Sequence, residues 1–175
     1  MTDPMGSHIA ALHWALDLTD GPVLELGMGD FSTPFLSKMC IGRRLVSVEW
    51  NKEWFERLRM LGTPDHDIRF CQDYNVDSLP IDNFSVVLID HEPPAEADKP
   101  MYKYQKRMDA VEFYEMRSEL IIVHDTEDDW FAQSPRWREI RSKFRYWLEF
   151  RHMFPWTTIL SQTIPVQNLF NTKGS

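Results

Sequence analysis

The chain has 175 residues, 43% of them hydrophobic and 26% charged, with a net charge of −8. That length suits one domain able to bury a core without disulfides or a structural metal, and the composition excludes long disorder. The acidic balance argues against a protein that grips nucleic-acid backbones.

Cys40 and Cys71 lack metal-ligand spacing and read as thiols in a reducing compartment. No signal core opens the chain, and no apolar run approaches the ~20 residues that cross a bilayer. A cytoplasmic protein without membrane contacts is expected. One domain over 1–175 is expected too, with an N-terminal helix in 1–19, a core over about 20–165 and a frayed tail from 167.

His8 to Leu18 carries Ile9, Leu12, Ala15 and Leu16 at helical spacing, broken by Asp20-Gly21-Pro22. Val23 to Leu26 reads as a buried strand running into Gly27-Met28-Gly29. Ser32 or Thr33 can cap the next helix, which has Pro34 in its first turn and ends near Met39. Leu45 to Val48 is a second strand, closed by Glu49. Asn51 can cap a helix from Lys52 to Leu61, with Gly62 as its C-terminal glycine.

Ile68 to Cys71 is a weaker third strand, and 72–83 has room for little helix. Phe84 to Ile89 is a fourth strand ending at Asp90, followed by a proline-rich loop to Pro100 and a helix from Tyr102 to Arg117. Leu120 to Val123 is a fifth strand ending at His124-Asp125, and an acidic loop runs from Thr126 to Ser134. A short helix spans Pro135 to Lys143. Phe144 to Phe150 and Trp156 to Ser161 are two apolar runs with no helix between them, so they pair antiparallel. The pattern predicts an α/β fold, a mostly parallel sheet with helices on both faces and a reversed last strand, whose ligands bind beyond the strands' carboxyl ends.

Those ends hold a polar set: Glu25 with Gly27 and Gly29, Glu49, Asp73, Asp90-His91-Glu92 and His124-Asp125. Two glycines allow a tight turn and a close backbone approach to a ligand, though a strand-to-helix turn alone would use them as well. Glu49 lies 20 residues after Gly29, where a carboxylate can accept from a ribose diol. Asp73 is placed to take an adenine amino group or to cap its own loop. Together these fit NAD or S-adenosylmethionine. Three features favour the second: Ser32 stands in place of a third glycine, Glu25 lies inside the motif, where an acid can help hold an amino-acid end, and the final hairpin is antiparallel.

On VLELGMGDFST (23–33), LVSVEW (45–50), the strand ending in Asp90 and the final strand pair, the chain resembles the class I S-adenosylmethionine-dependent methyltransferases. The resemblance covers about residues 20–165. It implies a Rossmann-like seven-stranded sheet with the seventh strand antiparallel, and cofactor contacts at Gly27, Gly29, Glu49 and Asp73. The neighbouring Ser32, Trp50 and Asp90 join that cofactor set, with Trp50 as a ring neighbour of the adenosine.

LIDHEPP (88–94) and IIVHDTEDD (121–129) resemble metal-dependent sugar and small-molecule O-methyltransferases, the cephalosporin-hydroxylase-like and rhamnosyl O-methyltransferase group. That likeness implies a divalent cation, Mg²⁺ or Mn²⁺, held by Asp90, His124 and Asp125. His124 stands where that group often has an acid, which shifts preference toward Mn²⁺ or another transition metal.

A hydroxyl acceptor needs its proton removed, so His91 is expected as the base, with Asp90 orienting and Glu92 as runner-up. Tyr102, Trp130 and Phe131 can stack on an acceptor ring or cover the sheet edge. The expected activity is O-methylation of a small molecule or a glycan, with a homodimer partner as another way to complete the pocket. A metal-independent methyltransferase and a non-catalytic donor-binding domain partnering another enzyme are the alternatives. HEPP (91–94) is only superficially like a nucleic-acid methylation motif.

Overall fold

The computed structural model describes residues 6–73, 75–92, 100–127 and 129–168, and side chains at all of these except 100, 101, 129, 130 and 168. Most of the 91–100 loop, the Trp130 ring and the tail from 169 lie outside the described residues.

Seven strands form one sheet: β1 Val23–Leu26, β2 Leu45–Glu49, β3 His66–Phe70, β4 Phe84–Ile89, β5 Ser118–His124, β6 Tyr146–Phe150 and β7 Thr157–Ser161. Their spatial order is β3-β2-β1-β4-β5-β7-β6. The first five are parallel, and β7 runs antiparallel to both β5 and β6. This is the expected mostly parallel sheet with a reversed last strand. The order steps outward in both directions from β1 and β4, and the crevice at that switch point is where such sheets take ligands.

β1, β2 and β4 are buried along their whole length because helices cover both faces. Each fully buried Leu, Ile or Val contributes about 1.5–3 kcal/mol of transfer free energy. Alternation sorts the side chains into two cores. Leu24, Leu26, Val48, Trp50, Val87, Ile89 and Val123 face the helix α4, Pro100–Tyr114. Val23, Leu45, Val86, Leu88 and Ile122 face α1, Ile9–Leu18, and α2, Ser32–Met39.

Several boundaries differ from the sequence reading. Asn51 caps α3 as expected, its Oδ1 accepting from the Glu53 and Trp54 amides, but α3 is only Lys52–Leu58 and tightens into a 3-10 turn at Arg59–Leu61. Gly62 then sits at φ −59°, ψ 136°, so it is not a left-handed cap. β3 starts at His66 and β5 at Ser118, two residues early, because each continues the register of its neighbour: Leu45 pairs with His66 and Phe84 with Ser118. The 72–83 link holds one 3-10 turn, Val76–Ser78. The loop after β5 contains a short helix, α5 (Asp129–Ala132), before α6, Pro135–Lys143. Among the described residues, no helix is long and apolar enough to cross a membrane.

Candidate active site

Strand parity builds the site. Glu25 lies between Leu24 and Leu26, and Glu49 between Val48 and Trp50; Asp90 follows Ile89 and His124 follows Val123. Each of these flanking residues faces α4, so the four polar residues fall on the α1/α2 side. There, a cleft of about 400 Å³ is lined by His8, Gly29, Glu49, Trp54, Asp90 and His124, among others. That is within the usual range for small-molecule sites.

Gly27 holds the chain at φ +93°, and its amide donates to the Val48 carbonyl at 2.9 Å. The second glycine is braced from below. Thr33 Oγ1 accepts from the Gly29 amide at 3.0 Å and donates to Glu25 Oε1 at 3.0 Å. Ser47 Oγ donates to Glu25 Oε2 at 2.5 Å and contacts His66 Nε2 at 2.8 Å. Glu25 is therefore fully buried under the glycine turn and is not among the residues that line the cleft. Its geometry is that of a brace for the turn, not of a partner for a ligand's amino group.

Burial pushes the Glu25 carboxyl up to about 7 from 4.5, against the hydrogen bonds from Ser32, Ser47 and Thr33 that favour its charged form. The folded state thus keeps a proton that the unfolded chain releases. Glu25's contribution to stability is full below pH 4.5, falls between 4.5 and 7, and is constant above. The drop is about 3 kcal/mol. Glu25→Gln should remove it. Urea unfolding at pH 5 and pH 8 is expected to show the variant gaining about 2–3 kcal/mol on the wild type between the two. A difference that does not change with pH would place an ordinary, ionised carboxylate at this position.

Glu49 closes β2 with both carboxylate oxygens held. Oε2 accepts from the Met28 amide at 2.6 Å, and Oε1 accepts from the amides of Trp50 and Asn51, each at 2.7 Å. Burial raises its carboxyl above the ordinary glutamate range, and these three bonds oppose the rise. A carboxylate offers about four acceptor positions, so one on Oε2 remains. Trp50 is buried on the opposite face, its ring 5.1 Å from that of His91. The tryptophan that lines the cleft is Trp54, with the Arg57 guanidinium 3.8 Å above its ring. Asp73 is exposed and is not part of the lining.

Beyond β4 the expected trio divides. Asp90 and Glu92 line the cleft, but His91 is fully buried toward α4, and burial together with Arg107 pushes its imidazole well below the usual range. This corrects the expectation of a base at the mouth: one residue after Asp90, alternation turns the side chain to the other face. Phe131 is likewise core, packed between Tyr104 and Trp137, and Tyr102 is not among the lining residues.

Arg107 joins the ends of β4 and β5. Only 1% exposed, it donates to Asp90 Oδ1 at 2.8 Å, the His124 carbonyl at 2.7 Å, the His91 carbonyl at 3.1 Å and Asp125 Oδ2 at 3.3 Å. Asp125, at φ +55°, also accepts from Lys103 at 3.2 Å. Its Oδ2 is thereby shared by two cations, its Oδ1 lies 3.4 Å from His124 Nε2, and its oxygens are not among the converging ligand atoms, unlike the metal-ligand role expected for it. The third member beside Asp90 and His124 is instead His8, which precedes α1. These three residues bring potential ligand atoms within 4.8 Å of one another.

Trp54, like Trp50, is expected near the adenosine pocket from its place just after β2, and of the two it is Trp54 that lines the cleft; His8 and Arg107 were not legible as site residues. Arg107 did leave a signal: it interrupts the apolar stripe Tyr104, Met108 and Val111, where a charge requires buried partners.

Neither a family model nor a curated protein sequence matches the chain. Solved structures do. WbdD is 17% identical with a TM-score of 0.58 over 92% of this chain. A human methyltransferase 10 domain-containing protein is 13% identical with a TM-score of 0.63 over 93% of this chain and 85% of its own. The N-methyltransferase NodS from Bradyrhizobium japonicum is 10% identical with a TM-score of 0.58, over 88% of this chain and 93% of its own. The chain has the class I methyltransferase fold. It spans 41% of the length of WbdD. At these identities the likeness is one of fold.

Proposed function

We propose that the chain is an S-adenosylmethionine-dependent methyltransferase that acts on a hydroxyl of a small molecule or a glycan, assisted by a divalent cation. The observation that carries this reading is Glu49: a carboxylate oriented by three backbone amides, one of them from Met28 in the glycine turn, in the cleft at the switch point of a methyltransferase sheet. When bound, S-adenosylmethionine supplies a methyl group on a positively charged sulfur. A divalent cation, when bound, lowers the pKa of an acceptor hydroxyl and orients it.

The chain's own residues supply position and a proton acceptor. The remaining acceptor position on Glu49 Oε2 suits a ribose hydroxyl, and Trp54 offers an aromatic wall beside it. Gly29 and Ser32 present backbone and a small side chain at the cleft edge. Asp90 and Glu92 face the cleft; Asp90 is held by Arg107, so proton acceptance falls to Glu92 and not to the buried His91.

Calorimetry with S-adenosylhomocysteine tests the donor site. The wild type should bind, and Glu49→Gln, verified as folded by circular dichroism, should bind about tenfold or more weakly, because its amide cannot accept in the same way. No binding to the wild type at millimolar ligand would remove the transferase reading. Binding with turnover that survives a chelator assigns the metal-independent version. Binding without turnover on hydroxyl acceptors assigns a donor-binding domain that partners another enzyme.

A further inference from the structure

We propose that His8, Asp90 and His124 form a site for a divalent transition metal on the wall of the cleft, with a residue from outside the methyltransferase motifs as one of its ligands. The role of that metal in methyl transfer rests on the reading above; its binding does not.

The site is drawn from three places in the fold. Asp90 leaves β4, His124 ends β5, and His8 enters from the N-terminal segment, which Ser7 ties down by donating to the Pro155 carbonyl at 2.8 Å. The ligand atoms converge within 4.8 Å. His8 is 3% exposed, yet neither ring nitrogen has a hydrogen-bond partner among the described residues. It occupies the N-cap position of α1 without capping it, so the imidazole serves no helix. Its ring stands edge-on to that of His124, with centroids 4.5 Å apart, and both residues line the cleft.

The other two ligands are available. Among the described residues, the His124 ring nitrogens have only long polar contacts, Nδ1 to Thr157 Oγ1 and Nε2 to Asp125 Oδ1, both 3.4 Å. Asp90 gives Oδ1 to Arg107, which leaves Oδ2. A buried polar side chain without partners calls for an explanation, and an ion between these three groups supplies one. Two imidazoles and one carboxylate favour Mn²⁺, Co²⁺ or Zn²⁺ over Mg²⁺ and Ca²⁺, which prefer all-oxygen sets.

The test uses the full chain without a polyhistidine tag. Titration with Co²⁺ should give visible absorption bands that saturate at one ion per chain, with Zn²⁺ displacing the Co²⁺ and millimolar Mg²⁺ failing to do so. His8→Gln and His124→Gln should each weaken Co²⁺ binding about tenfold or more while S-adenosylhomocysteine binding by the metal-free protein persists. Zn²⁺ should raise the melting temperature of the wild type and not that of His8→Gln. Wild-type Co²⁺ affinity in a folded His8→Gln variant would overturn the assignment of His8, and no Co²⁺ or Zn²⁺ binding to the wild type would overturn the site. Metal binding without S-adenosylhomocysteine binding would instead remove the donor reading and leave the metal site standing.

Discussion

Arg107→Met should lower the free energy of unfolding by about 3–5 kcal/mol, the range for breaking a buried ion pair from one side. The methionine replaces the aliphatic stem, so packing is largely kept and the loss isolates the guanidinium. What it leaves behind is an unpaired Asp90 carboxylate and the carbonyls of His91 and His124, without the donors that now reach them. A double-mutant cycle separates these contributions. Arg107→Met with Asp90→Asn should recover part of the loss, because the stranded charge is gone, while the carbonyls stay unsatisfied. Chemical denaturation is the measurement. A single Arg107→Met variant within about 1 kcal/mol of wild type would show that Arg107 does not hold the two strand ends together.

Gly27→Ala should be more damaging still, at more than about 4 kcal/mol, with loss of S-adenosylhomocysteine binding in whatever protein remains folded. A Cβ at Gly27 would lie 2.5 Å from His91 Cα, 2.6 Å from the His91 nitrogen and 2.7 Å from the Asp90 carbonyl carbon. All three are main-chain atoms that no rotamer change can move, and the φ of +93° adds strain of its own. Relief would require the exits of β1 and β4 to part, at the expense of the Asp90 amide's bond to the Leu26 carbonyl. Gly29→Ala is the control. Its Cβ would meet only Ser32 Oγ, at 3.4 Å, and its stability cost is expected to be about 1 kcal/mol or less. Equal losses for the two variants would refute the view that the first glycine is a packing requirement between two strand exits.

The pair of glycines shows where sequence reading reached its limit. The spacing Gly27-Met28-Gly29 identified the turn, but not that one glycine is imposed by an opposing backbone and the other is not. The central strands were legible because they are short, continuously apolar and bounded by turn residues. The starts of β3 and β5 are not legible, because pairing with a neighbour, and not local composition, decides where a polar residue such as His66 or Ser118 joins a sheet.

Glu49, Asp90 and His124 are legible as residues of the cleft wall because each ends a greasy strand. Adjacent residues at a strand exit take opposite faces, so counting by twos from Ile89 puts His91 on the α4 side and Asp90 on the other. His8 could not be found, since the contact that brings it in, Ser7 to Pro155, joins positions 148 residues apart.

The alternation at the exit of β4 also bears on how this protein tolerates change. A substitution at Asp90 or His91 alters one wall, but a single residue inserted between Leu88 and Asp90 would exchange the two, presenting the imidazole to the ligand and pressing the carboxylate into the interior against Trp50. Variation along this rim is therefore expected to proceed by side-chain replacement at constant loop length, with insertions confined to the stretches further from the sheet.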